Sequence, residues 1–440
     1  MTMELEKALQ TTGGTTQLWQ EDLSKQIYDL LQIELPLWNI IGTEQANGPI
    51  HRLRKRASQP TAWVQGELSD ADFRSGTYAN FDIPLKILRS WGGVSSFSQA
   101  TTERWLNQLQ EALANTVSGF ANTMEWFLWY GNKGADAYQF DGVEAYLLND
   151  ATAKTAYTAG GNIYQVNAAL TLTHLDNAID RVSNFRGSIQ DRWIALMSRE
   201  MISRVSGLQT RVTRQITQVE YEGGFRMDSY RGIGLYPCNI CKPAGTTTSP
   251  TVTATPAAGG TLTDLQRWYA ISSVTLNGEQ MPGTADDATT ATTNNTSALT
   301  WTTDANAKLY KIWRGTTSTV ADMTLLAVVP ALTYDASGNI TGAVTSYNDT
   351  GAVTPNSAVK PLAAASGADE QVMFLNVSKN ERGARIMGAV SPLGDQIENY
   401  INYVPLATTG PSLRYFLEAF LALKIAYPTN NLVIRGAKLA

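Results

Sequence analysis

Two histidines and two cysteines in 440 residues leave little for imidazole catalysis or a metal cluster. Charge is also scarce. Charged residues make up 17% of the chain, against ~25% in ordinary soluble domains, as expected of a surface largely covered by other subunits. The net charge of −5 argues against a dedicated nucleic-acid binder, which carries an excess of Lys and Arg. The start, Met1-Thr-Met-Glu-Leu-Glu-Lys7, has no apolar core of a secretory signal. The late apolar run from Tyr415 to Tyr427 is broken by Glu418 and Lys424 and falls short of the ~20 residues that span a bilayer. No G-x-x-x-x-G-K-[ST] loop occurs, which excludes a P-loop NTPase. What is present is core material: 43% hydrophobic residues, with 11 Trp, 18 Tyr and 11 Phe. The length suggests two or three domains.

The few candidate chemical groups each have a plain structural reading. Cys238 and Cys241 form a lone C-x-x-C without a second pair or a nearby histidine. Zinc needs about four ligands, so two inert thiols at a domain junction are expected. His51 lies in a basic run, Arg52-Leu-Arg-Lys-Arg56, and reads as a solvated or interface group. His174 opens a helix beginning Thr173-His-Leu-Asp and reads as a surface or cap residue. Gly232-Ile-Gly234 lacks the third glycine of a dinucleotide site and reads as a turn. The sequons Asn294-Asn-Thr296 and Asn348-Asp-Thr350 read as turns too. No catalytic residue, cofactor or metal is expected.

Along the chain, residues 1–16 form a polar arm, and Leu23, Ile27, Leu30 and Leu31 predict a helix over about Leu18–Ile33 that Pro36 stops. Two strand-like stretches, Ile50 to Val64 and Tyr78 to Val94, flank the polar tip Gly66–Gly76. They read as a long hairpin with few residues to cover it. Such a hairpin is marginal alone, so it should lie on a neighbouring molecule. Arg52, Arg54 and Arg56 are then expected to meet acidic groups of that neighbour. Phosphate binding is less favoured because no aromatic stacking platform accompanies the run.

From Thr102 to Tyr130 one apolar stripe predicts a single helix of 29 residues, ~43 Å long. Leu109, Leu113 and Phe120 are its expected core residues, and Asn107, Gln110, Glu111, Ser118, Asn122 and Glu125 its polar side. Residues 163–242 alternate helix and strand: a helix near Thr173–Asn184, a buried strand Trp193–Met197, a helix capped by Ser198 and running to Ser206, and a hairpin over Gln218–Tyr236. At Pro243 the composition shifts. Residues 243–367 carry 27 threonines in 125 residues and short strand-like runs between Asn/Gly/Asp turns. This predicts an inserted β-sandwich behind linkers at 243–263 and 351–367, where few contacts should cross. The α+β pattern resumes with strands at Gln371–Val377 and Ala384–Val390, a helix near Asp395–Asn402, and strands over Arg414–Ala426 and Asn431–Arg435.

This order resembles the major capsid proteins of tailed bacteriophages, the Hong Kong 97-like fold, an α+β fold. The resemblance rests above all on Ser98–Gly131 and Trp193–Ser206. It implies an N-arm at 1–49, an E-loop hairpin at 50–94, a P-domain at 95–162 with its spine helix at 102–130, and an A-domain at 163–242 and 368–410. The insert occupies 243–367, and P-domain return strands follow at 411–440. The insert, with Lys308-Leu-Tyr-Lys-Ile-Trp-Arg-Gly315 and Ser346-Tyr-Asn-Asp-Thr-Gly351, looks like an immunoglobulin- or fibronectin-III-type module.

The resemblance implies a virion protein, assembled in the host cytoplasm, that forms hexamers and pentamers of an icosahedral shell around DNA. Portal, scaffolding and decoration proteins would be its partners, no membrane is involved, and DNA contact is non-specific. Some members cross-link a hairpin Lys to an Asn of the next subunit; here Lys86 is the only lysine of the second hairpin strand, and no residue identifies a partner Asn. Some members also lose an N-terminal segment, whereas this chain reaches its arm at once and is expected to lose none. The alternatives are an encapsulin-like nanocompartment, expected to have a cargo groove and no inserted sandwich, and an extracellular adhesin, which would need an export route.

Overall fold

The computed structural model describes residues 36–56, 58, 75–102, 108–184, 191–213, 217–220, 226–242, 249–335, 338–362, 369–379, 382–391, 395–398, 400–406 and 411–439. The helix expected over Leu18–Ile33, the hairpin tip and the second half of the first hairpin strand lie outside them.

Three apolar cores are separated by two sheets, each buried on both faces. A seven-stranded sheet runs, in spatial order, through Ile163–Ala169, Leu432–Lys438, Glu370–Asn376, Trp193–Met197, Ile233–Pro237, Arg226–Tyr230 and Thr217–Glu220. Side chains alternate along a strand, so Trp193, Ala195 and Met197 face one side and Ile194 and Leu196 the other. The first set packs with Leu175, Ile179, Met201 and Val205 of helices Leu172–Asn184 and Arg199–Thr213. The second set joins the central core. Coverage on both faces is why Trp193-Ile-Ala-Leu-Met197 is an unbroken apolar run. Ser198 caps the following helix, its hydroxyl accepting from the Met201 amide at 3.1 Å. That helix extends to Thr213, past the expected end at Ser206.

The second such sheet lies in the insert. Strands Gln266–Thr275, Ala307–Gly315 and Thr324–Pro330 pair antiparallel, with Gly278–Glu279 and Asp286–Thr289 added on the first. Tyr269, Ile271, Tyr310 and Ile312 face a three-stranded sheet of Val252–Ala257, Thr296–Trp301 and Ser346–Asp349. Their alternates Ala270, Val274, Leu309 and Trp313 enter the central core of the body. The stretches expected to be linkers are therefore structured where described. Val252–Ala257 is a strand, and Val359 and Leu362 are buried, because the segments leading in and out must pass through a packed interface.

The spine helix spans Gln108–Tyr130, 23 residues and ~35 Å; Ser96–Thr102 forms a separate short helix. Its burial is concentrated in the C-terminal half, at Phe120, Met124, Trp126, Leu128, Trp129 and Tyr130. Phe120 is 3% exposed, as its place in the stripe requires. Leu109 and Leu113 are only half-buried, since the N-terminal half rests against one sheet and is otherwise open. Glu125, expected on the polar side, is 1% exposed.

A six-stranded sheet is centred on the long strand Ser412–Lys424, which pairs with Lys86–Ser95 on one edge and with Arg385–Ala389 and Ile401–Pro405 on the other. Two expectations fail here. The second hairpin strand stops at Pro84; residues 86–95, read as its continuation, instead pair with Ser412–Leu421. The expected helix at Asp395–Asn402 is a pair of strands, Asp395–Glu398 and Ile401–Pro405. Edge pairing with the long strand outweighs a weak helical pattern. Glu44 bonds Lys424 at 2.9 Å and fixes the short strand Thr43–Gln45, which runs parallel to Arg385–Ala389.

Candidate inter-subunit surfaces

The hairpin stem pairs Ile50–Arg56 with Tyr78–Pro84. Alternation sorts its residues onto two faces. His51, Leu53 and Lys55 with Phe81 and Ile83 turn inward; Ile83 is 3% exposed, and Phe81 packs on Tyr146 with ring centres 6.1 Å apart. Half of the stem thus lies on its own subunit, contrary to the expectation of an uncovered hairpin, and His51 is half-buried rather than solvated. Lys55 sits 5.0 Å above the Phe81 ring, and burial lowers its pKa.

The outer face carries Ile50, Arg52, Arg54 and Arg56 opposite Pro84, Asp82, Asn80 and Tyr78. The three arginines are exposed on one side, as their spacing requires. One finds its acid at home: Arg52 grips Asp82 through two bonds of 2.7 and 2.9 Å. That contact raises the Arg52 pKa and lowers that of Asp82. The expectation that all three arginines meet a neighbour's acids therefore holds no longer for Arg52. Arg54 and Arg56 remain exposed between Ile50, 55% exposed, and Tyr78, 65% exposed.

A second surface follows directly. On strand Lys86–Ser95 the residues Ile87 and Trp91 point outward, away from the spine helix. Trp91 lies against Phe416, its cross-strand partner, with ring centres 5.2 Å apart. Between them Arg89 bonds Glu418 at 2.6 Å. Contiguous exposed apolar side chains of this kind mark association surfaces. Lys86, the candidate cross-linking lysine, is occupied within its own chain, donating to the Ala137 carbonyl.

Two buried charged groups escaped sequence reasoning. Glu125 on the spine helix accepts from the amides of Leu37 and Trp38 at 3.0 and 2.8 Å, so it holds the point where the N-terminal segment enters the fold. Burial pushes its pKa up to about 7, against the opposing pull of those two amides. The second is a quartet at the seam between insert and body. Lys311 bonds Glu279 at 2.7 Å and Glu144 at 2.6 Å. Arg435 bonds Glu279 at 3.1 Å and Glu144 at 3.2 Å. Insert and body each contribute one acid and one base, so the quartet is neutral. Burial alone would raise the Glu279 pKa, but Arg435 and Lys311 outweigh it and hold the carboxyl below its ordinary range. Charged residues in a strand normally read as its solvent side. For Lys311 and Arg435 the available signal was the apolar run beside each, Leu309-Tyr310 and Ile312-Trp313 for one and Leu432-Val-Ile434 for the other, which marks a strand covered on both faces.

The remaining sequence candidates have local structural places. Cys238 and Cys241 are buried and free, and burial raises the Cys241 pKa well above that of an ordinary thiol. His174 accepts from the Thr171 amide at 3.3 Å at the start of its helix, a local cap. Among the described residues no group of acids, histidines and cysteines could hold a metal ion, and no helix is long and apolar enough to cross a membrane.

Among the described residues both faces stay open, with Ile50, Tyr78, Ile87 and Trp91 exposed. The family model described as SU10 major capsid protein matches residues 9–234, just over half of the chain, and the chain belongs to that family. It is a major capsid protein of a tailed bacteriophage, a structural protein of the virion capsid with the Hong Kong 97-like α+β fold. Copies of it associate as a homo-oligomeric shell.

Among solved structures, the holo-SrpI encapsulin complex from Synechococcus elongatus PCC 7942 is 10% identical, with 95% of this chain and 93% of that chain covered at a TM-score of 0.50. At that identity the likeness is one of fold. The cyanophage A-1(L) capsid is 12% identical over 96% of this chain and 98% of that one, TM-score 0.48. The capsid of the native GTA particle is 9% identical over 98% of both, TM-score 0.49. No curated protein matches the sequence.

Proposed function

We propose that the chain builds hexamers and pentamers of an icosahedral shell around the phage genome, and that the outer face of the hairpin stem is one of its subunit contacts. The observation that carries this reading is the face itself, where Ile50 and Tyr78 flank Arg54 and Arg56 with no cover from the described residues of the same chain. The family's parts then correspond to an arm at 1–49, a hairpin from 50 to Pro84, a P-domain around the spine helix and the six-stranded sheet, and an A-domain around the seven-stranded sheet. The insert at 243–367, of immunoglobulin or fibronectin-III type, is a thickened part of the wall rather than a tethered module, because its five-stranded sheet shares the central core. Portal, scaffolding and decoration proteins are the further partners, and packaged DNA is touched without sequence preference.

Electron microscopy of the purified full-length protein tests this reading. Capsomers or closed shells are expected, and reversing Arg54 and Arg56 to Glu should leave folded subunits that do not assemble. A protein that stays monomeric at high concentration, or normal shells from the double variant, overturns it.

A further inference from the structure

We infer that Glu125 is a proton-operated latch on the root of the N-terminal segment. Protonated, it keeps the short helix Pro36–Ile40 seated on the spine helix; when its proton goes to solvent, that short helix lifts and turns at Gly42. The seat is apolar. Leu37, Trp38 and Ile41 are at most 4% exposed and share the central core with Met124 and Leu128 of the spine helix. The polar hold on this seat is Glu125, 1% exposed, whose two oxygens accept the amides of Leu37 and Trp38.

Beyond Gly42 the chain is pinned by other means. Thr43–Gln45 pairs with Ile386–Gly388, the Gly42 carbonyl accepts from the Ile386 amide at 3.0 Å, and Glu44 bonds Lys424. Breaking the latch therefore frees one side of a hinge and leaves the other in place.

A carboxylate buried in such a place needs a counterion. The helices Pro36–Ile40 and Ser96–Thr102 bring no charged side chain to the spine helix. Charged groups on the other elements packed against it are bonded elsewhere: Arg89 to Glu418, Lys424 to Glu44, Lys86 to the Ala137 carbonyl, Arg414 to Ser412 and Glu144 within the quartet. The Cys241 thiol, within electrostatic reach of Glu125, is kept neutral by its own burial. Among the described residues Glu125 thus has no cationic partner. Ionised, it would set a bare charge in the central core, and burial accordingly raises its pKa to about 7 against the pull of the two amides. A released carboxyl returns to the ordinary 4.5. The seated state is then favoured most below pH 4.5 and loses that advantage as pH rises to about 7. Between pH 5 and pH 8 the ratio of released to seated helix should rise roughly 70-fold.

Hydrogen exchange of the full-length protein, read by mass spectrometry at pH 5 and pH 8 and corrected for the intrinsic rate, tests the latch. Protection of the Leu37 and Trp38 amides should fall by roughly that factor, while Thr43–Gln45 and the buried strand Trp193–Met197 keep theirs. Glu125→Gln keeps the shape of the side chain and has no proton to lose, so its protection at Leu37 and Trp38 should be the same at both pH values. Unchanged protection in the unsubstituted protein overturns the latch, and this arm needs no variant to fold. An equal fall at Trp193–Met197 would mean opening of the whole subunit, and a fall that persists in Glu125→Gln would mean another titrating group; either result also overturns it.

Discussion

Two charged clusters of the same chemistry meet opposite fates in this molecule. At the seam, Glu144, Lys311, Glu279 and Arg435 form a neutral quartet with every side chain at most 12% exposed. On the hairpin, Arg52 and Asp82 pair at 2.7 Å with side chains 58% and 43% exposed, beside two arginines open to solvent. Geometry is as good in one place as in the other; the surroundings differ. Water screens the hairpin pair, so it adds little to the fold, and its charge stays available to another molecule. The buried quartet has no water to fall back on. Removing one member leaves an unpaired charge in an apolar seam, at a cost of ~3–5 kcal/mol. The seam charges therefore bear on whether this chain folds, whereas the hairpin charges stay open to solvent.

The largest test of this contrast removes the insert. Joining Lys242 to Asp369 through a short Gly/Ser loop keeps Glu144 and Arg435 paired, yet strips Val274, Leu309, Trp313 and Val359 from the central core. Soluble yield should collapse, as measured by the fraction of protein left in the supernatant. Closed shells from the deletion would show the seam to be dispensable and the insert a separate module.

Next comes Lys311→Met, which leaves Glu279 and Glu144 to share Arg435. A loss of ~3–5 kcal/mol is expected in denaturant melts. Adding Glu144→Gln should restore part of that loss by rebalancing the quartet; two simply additive losses would mean that no such coupling exists.

Phe120→Ala should cost ~3–5 kcal/mol as a truncation in a packed core, and Leu113→Ala distinctly less because Leu113 is half-exposed. Equal losses would show that the N-terminal half of the spine helix is covered in the unassembled subunit.

Glu125 gives a smaller, pH-dependent effect. Its folded pKa of about 7 lies above the ordinary 4.5, so the folded state takes up a proton between those values. Its contribution to stability is full below pH ~4.5 and is lost as pH rises through ~7, with a total of at most ~3 kcal/mol. Glu125→Gln should flatten this slope between pH 5 and 8 in thermal melts; an unchanged slope would place the titration elsewhere. Smallest of all is Arg52→Ala on the hairpin, which should leave the melting temperature unmoved.

The elements were largely legible in the sequence. Trp193–Met197 and the Ser198 cap appear at their expected places, and the runs read at Arg267–Leu276 and Lys308–Arg314 are the strands Gln266–Thr275 and Ala307–Gly315, whereas Val252–Ala257 is a strand where a linker was expected. Local patterning sets such features: apolar period, a capping hydroxyl, turn residues. Residues 86–95 show the limit. Their composition suits a hairpin strand equally well, and only the arrival of Ser412–Leu421, more than 300 residues later, claims them for another sheet.

By itself, then, the sequence determined the order of elements, the scarcity of histidine and cysteine, and the three arginines on one face of a strand. Tertiary structure decided what each polar side chain is for. Glu125 and Glu279 look like surface residues in any local window, because a window contains one element and burial is a property of two. Which side of a strand is wet depends on what packs there. For the insert's sheet, that was the body of the same chain on one face and the sandwich on the other.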